Sequence, residues 1–585
     1  MTPSSQIKRH LNGLQHHNKN DEQGFSALIV VNTPVLDDSG VSHAVEHLVF
    51  RRSAAFTHPE SLFQLTALTD LSINASTHYD ATYYHCHSQS LKTCLLGLSY
   101  LLNGLIAPEF EAEDLTDEIY HNDCYGVINR ELMAQQGKQK NNQQGIIARS
   151  DSSAQRCYQY GGDIALISQL TVTDIKRYHA QYYQAQKMHL VTRNIEPTIV
   201  ASLLASINEK ANDGIPYSPK TLSKNLAKAD TCSNKQLVRW YIDKEFHSYF
   251  STSHKRLSHL IESFDAQLIA PQYNLNNNQQ FALDIIAPIN ISETVLTKAI
   301  ACFLVKHPEG KRVKEHKQPH KFSPEIIHLF NYYQNLMRNL EPDLVSNIIE
   351  KSSQSLTEQA RLTLGCGTVY PLQKQPVLKQ QQKNPPAPLK PVENLLLIQL
   401  SQHLSEDKYQ QSEDKYQQSE YKHRTLPTLF SPLVKKAQQQ LTQQQNQGLS
   451  PKLAHKCIAK VFDADHCLIM VNIKDKEQNL AILASFIISA YPSFLASRTQ
   501  GHCYAIVSQY VMESHHMAFY SAFDVAPCLR LAAITESLKT LCKDLCFITA
   551  ALPLAKSKLS NVEVNNVTAD SIAQFISHNL LTSDT

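Results

Sequence analysis

His43-Ala44-Val45-Glu46-His47 is the stretch on which the reading of this chain turns. On a helix of about 3.6 residues per turn, His43 and His47 stand one turn apart with Glu46 between them, so two imidazoles and a carboxylate share one face. Two neutral imidazole nitrogens held this way make half of a zinc site, and a catalytic site needs a third protein ligand from another element. The order H-x-x-E-H mirrors H-E-x-x-H and is the inverzincin pattern. With 27 histidines in 585 residues such a spacing can arise by chance, so its surroundings carry the argument.

Upstream, residues 25–31 (FSALIVV) form an apolar, β-branched run of strand type, closed by Asn32-Thr33-Pro34 and the polar turn Asp37-Asp38-Ser39-Gly40. That turn offers N-cap residues just before Val41, which predicts a helix opening on the motif and packed behind a strand. A third ligand has to be a carboxylate, His or Cys on a different element, and residues 126–133 (GVINRELM) offer Glu131.

Residues 38–47 (DSGVSHAVEH), followed 131 − 47 = 84 positions later by Glu131 in a GVINREL segment, resemble the pitrilysin/insulinase family of zinc peptidases. Within it they look most like the presequence protease branch, with G-V-x-H-I-L-E-H and then G-V-V-x-N-E-M. Residues 71–77 (LSINAST) are similar to the family's L-N-A-x-T edge strand. Gly161-Gly162-Asp163, Leu170-Thr171 and residues 178–183 (YHAQYY) are similar to its G-G-D, L-T and F-H-x-x-Y-Y pieces, in the same order. The resemblance runs from about residue 15 to 200. Farther on, Arg498 and Tyr504, 504 − 498 = 6 apart, are similar to an Arg and Tyr that reach the zinc site from the family's second half. Three places differ: C-G-S reads Arg51-Arg52-Ser53, the second glycine before the tyrosine reads His502-Cys503, and S-Y-R-D-P reads SAFDV at 521–525. Members of the branch are longer, two-half clamshells, so the resemblance implies a chain shortened in its middle.

The fold it implies is α+β and multidomain, with helices packed on mainly antiparallel sheets in an incomplete two-half clamshell. The implied cofactor is Zn2+, held by His43, His47 and Glu131 with one position left for water. Glu46 is then the general base, Tyr504 stabilises the oxyanion and Arg498 grips the substrate backbone. Peptide substrates in extended conformation are expected to add a strand along Asn74-Ala75. The expected activity is a zinc metalloendopeptidase of unstructured peptides. A second reading is a zinc-binding relative serving as a non-catalytic peptide-binding or chaperone-like subunit, for which Glu46 has no use as a base.

Composition agrees with a globular chain of about three or four domains' length, 42% hydrophobic and 18% charged. With 55 basic against 53 acidic residues, the net charge of +2 makes no electrostatic case for nucleic acid or membrane as partner. The 13 cysteines lack C-x-x-C pairs and read as reduced thiols. Residues 1–20 are polar without an apolar core, and the runs 94–107 and 480–496 fall short of the roughly 18 residues a membrane span needs and each read as a buried core helix. The expectation is a cytoplasmic enzyme with no cleavable leader; no motif sets an oligomeric state.

The expected organisation is a catalytic α+β domain at 1–215, a non-catalytic α/β partner domain at 216–370, a linker at 371–450 and a C-terminal α/β domain at 451–585 with Arg498 and Tyr504. The linker is rich in Gln, Pro and charge and repeats Ser-Glu-Asp-Lys-Tyr-Gln-Gln at 405–411 and 412–418, a composition that buries too little apolar surface to offset its ordering entropy, with part of the segment open to a helical reading. Local patterns predict helices over 60–68, 111–122, 325–340 and 344–351 and a strand over 71–85. His85-Cys86-His87 alternates across a strand and reads as structural. His16-His17 and His515-His516 are expected to be solvated, and the basic stretch 306–321 lacks aromatics for stacking on bases.

Overall fold

The computed structural model describes residues 6–20, 24–77, 81–121, 124–138, 161–208, 214–220, 232–243, 247–268, 272–273, 280–306, 323, 326–329, 332–333, 368–373, 388–396, 430–446, 458–559, 564 and 566–581. The tandem heptapeptide, the helix expected over 344–351 and most of the basic stretch lie outside them.

The first block contains β1 (Gln6–Arg9), β2 (Gln15–Lys19), β3 (Phe25–Asn32), α1 (Val41–Leu48), α2 (Ser61–Leu68), β4 (Ser72–Thr77), β5 (Ala81–Ser88), α3 (Leu91–Ile106) and α4 (Ala112–Glu118). It continues through the short strands β6 (Tyr120–His121) and β7 (Cys124–Tyr125), then α5 (Val127–Lys138), α6 (Ile164–Ile167), α7 (Val172–Tyr182), β8 (Met188–Arg193) and α8 (Pro197–Ala205). Six strands form one sheet in the order β1-β2-β8-β3-β5-β4, antiparallel throughout except for β2 with β8. β3 is apolar at successive positions because it is covered on both sides. Its Ala27, Ile29 and Val31 pack among residues of α1 and α3, while Leu28 and Val30 meet Val191, Ile326 and Leu329 on the opposite face.

A second sheet follows, formed by β9 (Cys232–Asp243), β10 (Gln267–Leu268), β11 (Gln272–Tyr273), β12 (Gln280–Pro288) and β13 (Thr368–Gln373). Trp240, Leu283 and Ile285 pack against α9 (His247–Glu262) and α10 (Glu293–Lys306) through Leu257, Ile261 and Ile300. The third block has α11 (Ser431–Asn446), β14 (Ile458–Phe462), β15 (His466–Asn472), α12 (Gln478–Ala490), α13 (Pro492–Thr499), β16 (Ala505–Val511), β17 (His516–Ala522), α14 (Pro527–Leu541), α15 (Leu545–Ser557) and α16 (Ala569–Phe575). Its strands run antiparallel in the order β14-β15-β17-β16. The chain is thus α+β and multidomain.

The first and third blocks meet on α2. This helix is apolar nearly all round because it is buried from two sides: Leu65 belongs to the first core, and Leu68 to the third block's core with Leu483 and Ile487. Lys558 Nζ donates to the Thr66 and Ala67 carbonyls at 3.0 and 2.8 Å, satisfying orphan acceptors at the end of α2. Among the described residues no single helix is long and apolar enough to cross a membrane.

Four local expectations change. The strand expected over 71–85 is two, β4 and β5, paired from Ser72 with His87 to Thr77 with Thr82, since an alternating pattern is the same for one long strand and for two that pair. The charged helix expected over 111–122 ends at Glu118, where the Gly126 N–H returns to the Ile119 carbonyl at 2.8 Å. The apolar run 480–496 is two helices bent by 50°, because Pro492 forces Tyr491 into an extended conformation. His16 and His17 are buried rather than solvated, because β2 lies inside the sheet against β8. His16 Nε2 bonds the Thr192 hydroxyl at 2.7 Å, and His17 stacks on His189.

This burial predicts acid sensitivity. Burial, with His10 and His17 adding, lowers the His16 pKa to about 3; burial lowers His85 to about 4, and His179 to about 4 against an opposing bond to the Leu105 carbonyl. Because these folded-state values lie below the unfolded value of 6.5, the unfolded chain binds more protons as pH falls through 6.5, and stability is lost from there down toward pH 4. At pH 5 each such group removes up to about 2 kcal/mol. The expected result is a fall in Tm between pH 7 and pH 5, partly flattened in His16→Gln; a Tm constant over that window contradicts it.

Candidate active site

The helix that carries the motif begins where two glycine turns touch. Gly40, the N-cap of α1, has φ +67°, and a Cβ there lies 2.8 Å from the Gly161 carbonyl oxygen; Gly162 has φ +90°, and a Cβ there lies 2.7 Å from the Gly40 Cα. Only glycine meets both demands. The approach delivers the Gly161 carbonyl to His43, whose Nδ1–H donates to it at 3.1 Å. The preceding turn is held by Asp37, which accepts the Ser39 N–H at 2.8 Å and the Tyr217 hydroxyl at 2.8 Å.

One turn on, His47 Nδ1–H donates to Glu118 Oε2 at 2.9 Å. With both Nδ1 atoms committed to acceptors, Nε2 is the nitrogen each ring leaves to face a metal, which would take the place of any proton there. His43 Nε2 stands 3.7 Å and His47 Nε2 3.6 Å from Glu131 Oε2. Glu131 comes from the second turn of α5, whose start is pinned by Asn129 Nδ2 donating to the Ile119 carbonyl at 2.7 Å.

The donor set fits zinc. The separations are too long for hydrogen bonds, whereas ligand atoms around a tetrahedral ion with bonds of roughly 2.0 to 2.1 Å stand about 3.4 Å apart. All three ligand atoms lie within 4.8 Å of one another. The local field also favours a cation. Burial lowers the His47 pKa, but Glu118 and Glu131 reverse this and raise it to about 10. Burial opposes ionisation of Glu131, and His43 and His47 outweigh it, holding the carboxyl well below the usual range.

Glu46 is half-buried on the same helix, and the Thr77 hydroxyl donates to its Oε2. Tyr504 lies in the link between α13 and β16. Burial, then Glu131, raises its pKa to about 12 against the opposing Arg498, so the phenol is protonated at neutral pH. Arg498, in the last turn of α13, places Nη1 3.1 Å from Glu118 Oε1 with its guanidinium 5.4 Å from the Phe63 ring centre. Asn74 is exposed and Ala75 buried on β4, the strand at the end of the sheet order, and the Ala75 N–H donates to Asn74 Oδ1 at 2.9 Å.

Sequence reading missed Glu118. Its Oε1 also takes Arg51 Nη1 at 3.2 Å, and Arg51 Nη2 reaches Asp114 Oδ1 at 3.0 Å, Asp117 Oδ2 at 3.2 Å and the Thr499 carbonyl at 2.6 Å. Arg51 and Arg498 thereby hold from two blocks the carboxylate that orients His47. Burial opposes ionisation of Glu118, but Arg498, His47 and Arg51 prevail and keep it far below the usual range. The signal was present in the excess of acids at 111–118 and in Arg51-Arg52, which stand where the resemblance has Cys and Gly.

Comparison with known proteins comes to the same stretch. Residues 36–149 match the family model described as insulinase, peptidase family M16. An uncharacterized protein of Saccharomyces cerevisiae is 25% identical over 226 residues, 36% of this chain and 21% of that protein. Another, of Schizosaccharomyces pombe, is 24% identical over 190 residues, 29% and 18% of the two. The match therefore spans about a fifth of the length of these curated relatives. Among solved structures, pitrilysin aligns with a TM-score of 0.41 at 14% identity, covering 95% of this chain and 64% of that one. A peptidase M16 inactive domain from Pseudomonas fluorescens aligns with a TM-score of 0.43 at 14% identity, covering 63% and 97%. The segment matching the insulinase family, peptidase family M16, is thus the one that contains His43, Glu46, His47 and Glu131.

Proposed function

We propose that this chain is a zinc-dependent endopeptidase, of the presequence protease kind, that hydrolyses unstructured peptides. The reading is carried by the convergence of His43 Nε2 and His47 Nε2 on one oxygen of Glu131, with Glu46 on the same helical turn. His43, His47 and Glu131 are the residues to hold the ion, and zinc bound there supplies Lewis acidity to the reacting carbonyl and water. Glu46, anchored at Oε2 by Thr77, takes a proton from the attacking water and returns it to the leaving amine. Tyr504, protonated at neutral pH, donates to the oxyanion. The substrate lies along β4 as an added strand, a mode that needs extended backbone and tolerates varied side chains.

The test is a quenched fluorogenic peptide given to the full chain. Cleavage that stops on chelation and returns with zinc is expected. Binding of the peptide without zinc-dependent cleavage rejects this reading in favour of the non-catalytic subunit.

A further inference from the structure

Thr77 closes β4, and its hydroxyl is the described side-chain partner of Glu46. Behind it runs a set of buried hydroxyls. Thr77 Oγ1 lies 3.2 Å from Thr82 Oγ1, and Thr82 Oγ1 lies 2.7 Å from Thr33 Oγ1. All three side chains are buried.

The order of donation follows from counting hydrogens. An ionised carboxylate accepts only, so Thr77 spends its one hydroxyl hydrogen on Glu46. At the contact between Thr77 and Thr82 the donor must then be Thr82, which leaves Thr82 to accept from Thr33. Each O–H along the route points toward the carboxylate, and such aligned bonds polarise one another in a dry interior.

We propose that Thr77 is a positioning residue for Glu46: the hydroxyl series from Thr33 through Thr82 and Thr77 holds Oε2 and leaves Oε1 to face the attacking water. The proposal rests on the reading of Glu46 as general base. It adds that one strand has two tasks, since β4 offers the edge for an extended peptide and its last side chain sets the base. Chemistry and peptide register are tied to one segment of backbone, so the scissile bond and the base cannot drift apart. The carboxylate loses this hold in Thr77→Val, which keeps the branched shape and removes the hydroxyl; Thr77→Ser keeps the hydroxyl and removes a methyl group.

The experiment compares Thr77→Val, Thr77→Ser and Thr82→Val with the wild-type chain, reading kcat and KM separately, zinc content, and the position of Glu46 in crystal structures of wild type and Thr77→Val. Loss of a hydrogen bond to a charged group predicts a fall in kcat of roughly 10- to 100-fold for Thr77→Val. KM and zinc content should stay within about twofold, Thr77→Ser should recover most of the rate, and Thr82→Val should fall between. If Thr77→Val does not fold, Thr82→Val reads the same series one bond back. Either valine variant keeping wild-type kcat overturns the proposal, as does Thr77→Ser as slow as Thr77→Val, or a loss lying wholly in KM. If the wild type shows no zinc-dependent turnover, the endopeptidase reading fails, and the crystal structures still judge the anchor: Glu46 bonded to Thr77 in wild type and turned away in Thr77→Val supports it, and Glu46 turned away from Thr77 in the wild type overturns it.

Discussion

Glu46→Gln should lower peptide turnover by roughly 10²- to 10⁴-fold, the usual contribution of a positioned general base, while the chain keeps its zinc. The amide has nearly the shape of the carboxylate and can still accept the Thr77 hydroxyl through its oxygen, so the helix and its packing are preserved. It cannot take up a proton at neutral pH. Glu46 is also absent from the group of converging ligand atoms, which is His43, His47 and Glu131. Loss of turnover with metal content unchanged is therefore expected, measured as kcat on a quenched peptide beside elemental analysis of the same sample. Turnover within tenfold of wild type would remove Glu46 from the chemistry.

Glu131→Gln should act at an earlier stage, on the metal itself. In the proposed site two imidazoles from one helix are a bidentate half-site, and among the described residues Glu131 is the charged ligand offered by a second element, 3.7 and 3.6 Å from the two Nε2 atoms. An amide oxygen in its place is a neutral, weaker donor. Outer-shell partners of metal ligands change affinity by about 10- to 100-fold, so a directly coordinating carboxylate should cost more than about 100-fold. Competition with a chelating dye reads the affinity, and turnover at limiting zinc should disappear while excess zinc restores part of it. An affinity equal to wild type would mean that the third ligand is another residue. The two variants separate cleanly: one keeps zinc and loses the reaction, the other loses zinc first.

How much of this was legible beforehand follows from the range of each interaction. The helix over the motif, the apolar β3 and the glycines beside the site are local signals. A 3.6-residue period places His43, Glu46 and His47 on one face whatever else the chain does. An alternating pattern, by contrast, reports which residues share a face and leaves open whether the strand turns back, so β4 and β5 read as one strand from 71 to 85. The same limit applies to His16 and His17, polar residues at the chain's start whose burial comes from pairing with β8, about 170 residues away in sequence.

The candidate site divides along the same line. His43, His47 and Glu131 could be named as candidates because metal chemistry restricts ligands to few residue types, and Glu46 because helical geometry sets it on the face of the two histidines. Glu118 could not, because its part depends on three partners that have no sequence relation to it: His47 on α1, Arg51 beyond the end of α1, and Arg498 from the third block. Arg498 and Tyr504 could be picked out as a pair by spacing, but only packing sends one to Glu118 and sets the other under the influence of Glu131. By itself, then, the sequence determined the motif helix, the alternating and continuous apolar strands and the candidate ligand types, because each is written within a turn or two of backbone. Tertiary structure alone decided which acids are buried together, which histidines are dry and which hydroxyls line up behind Glu46, because those outcomes depend on surfaces brought together from chain segments up to several hundred residues apart.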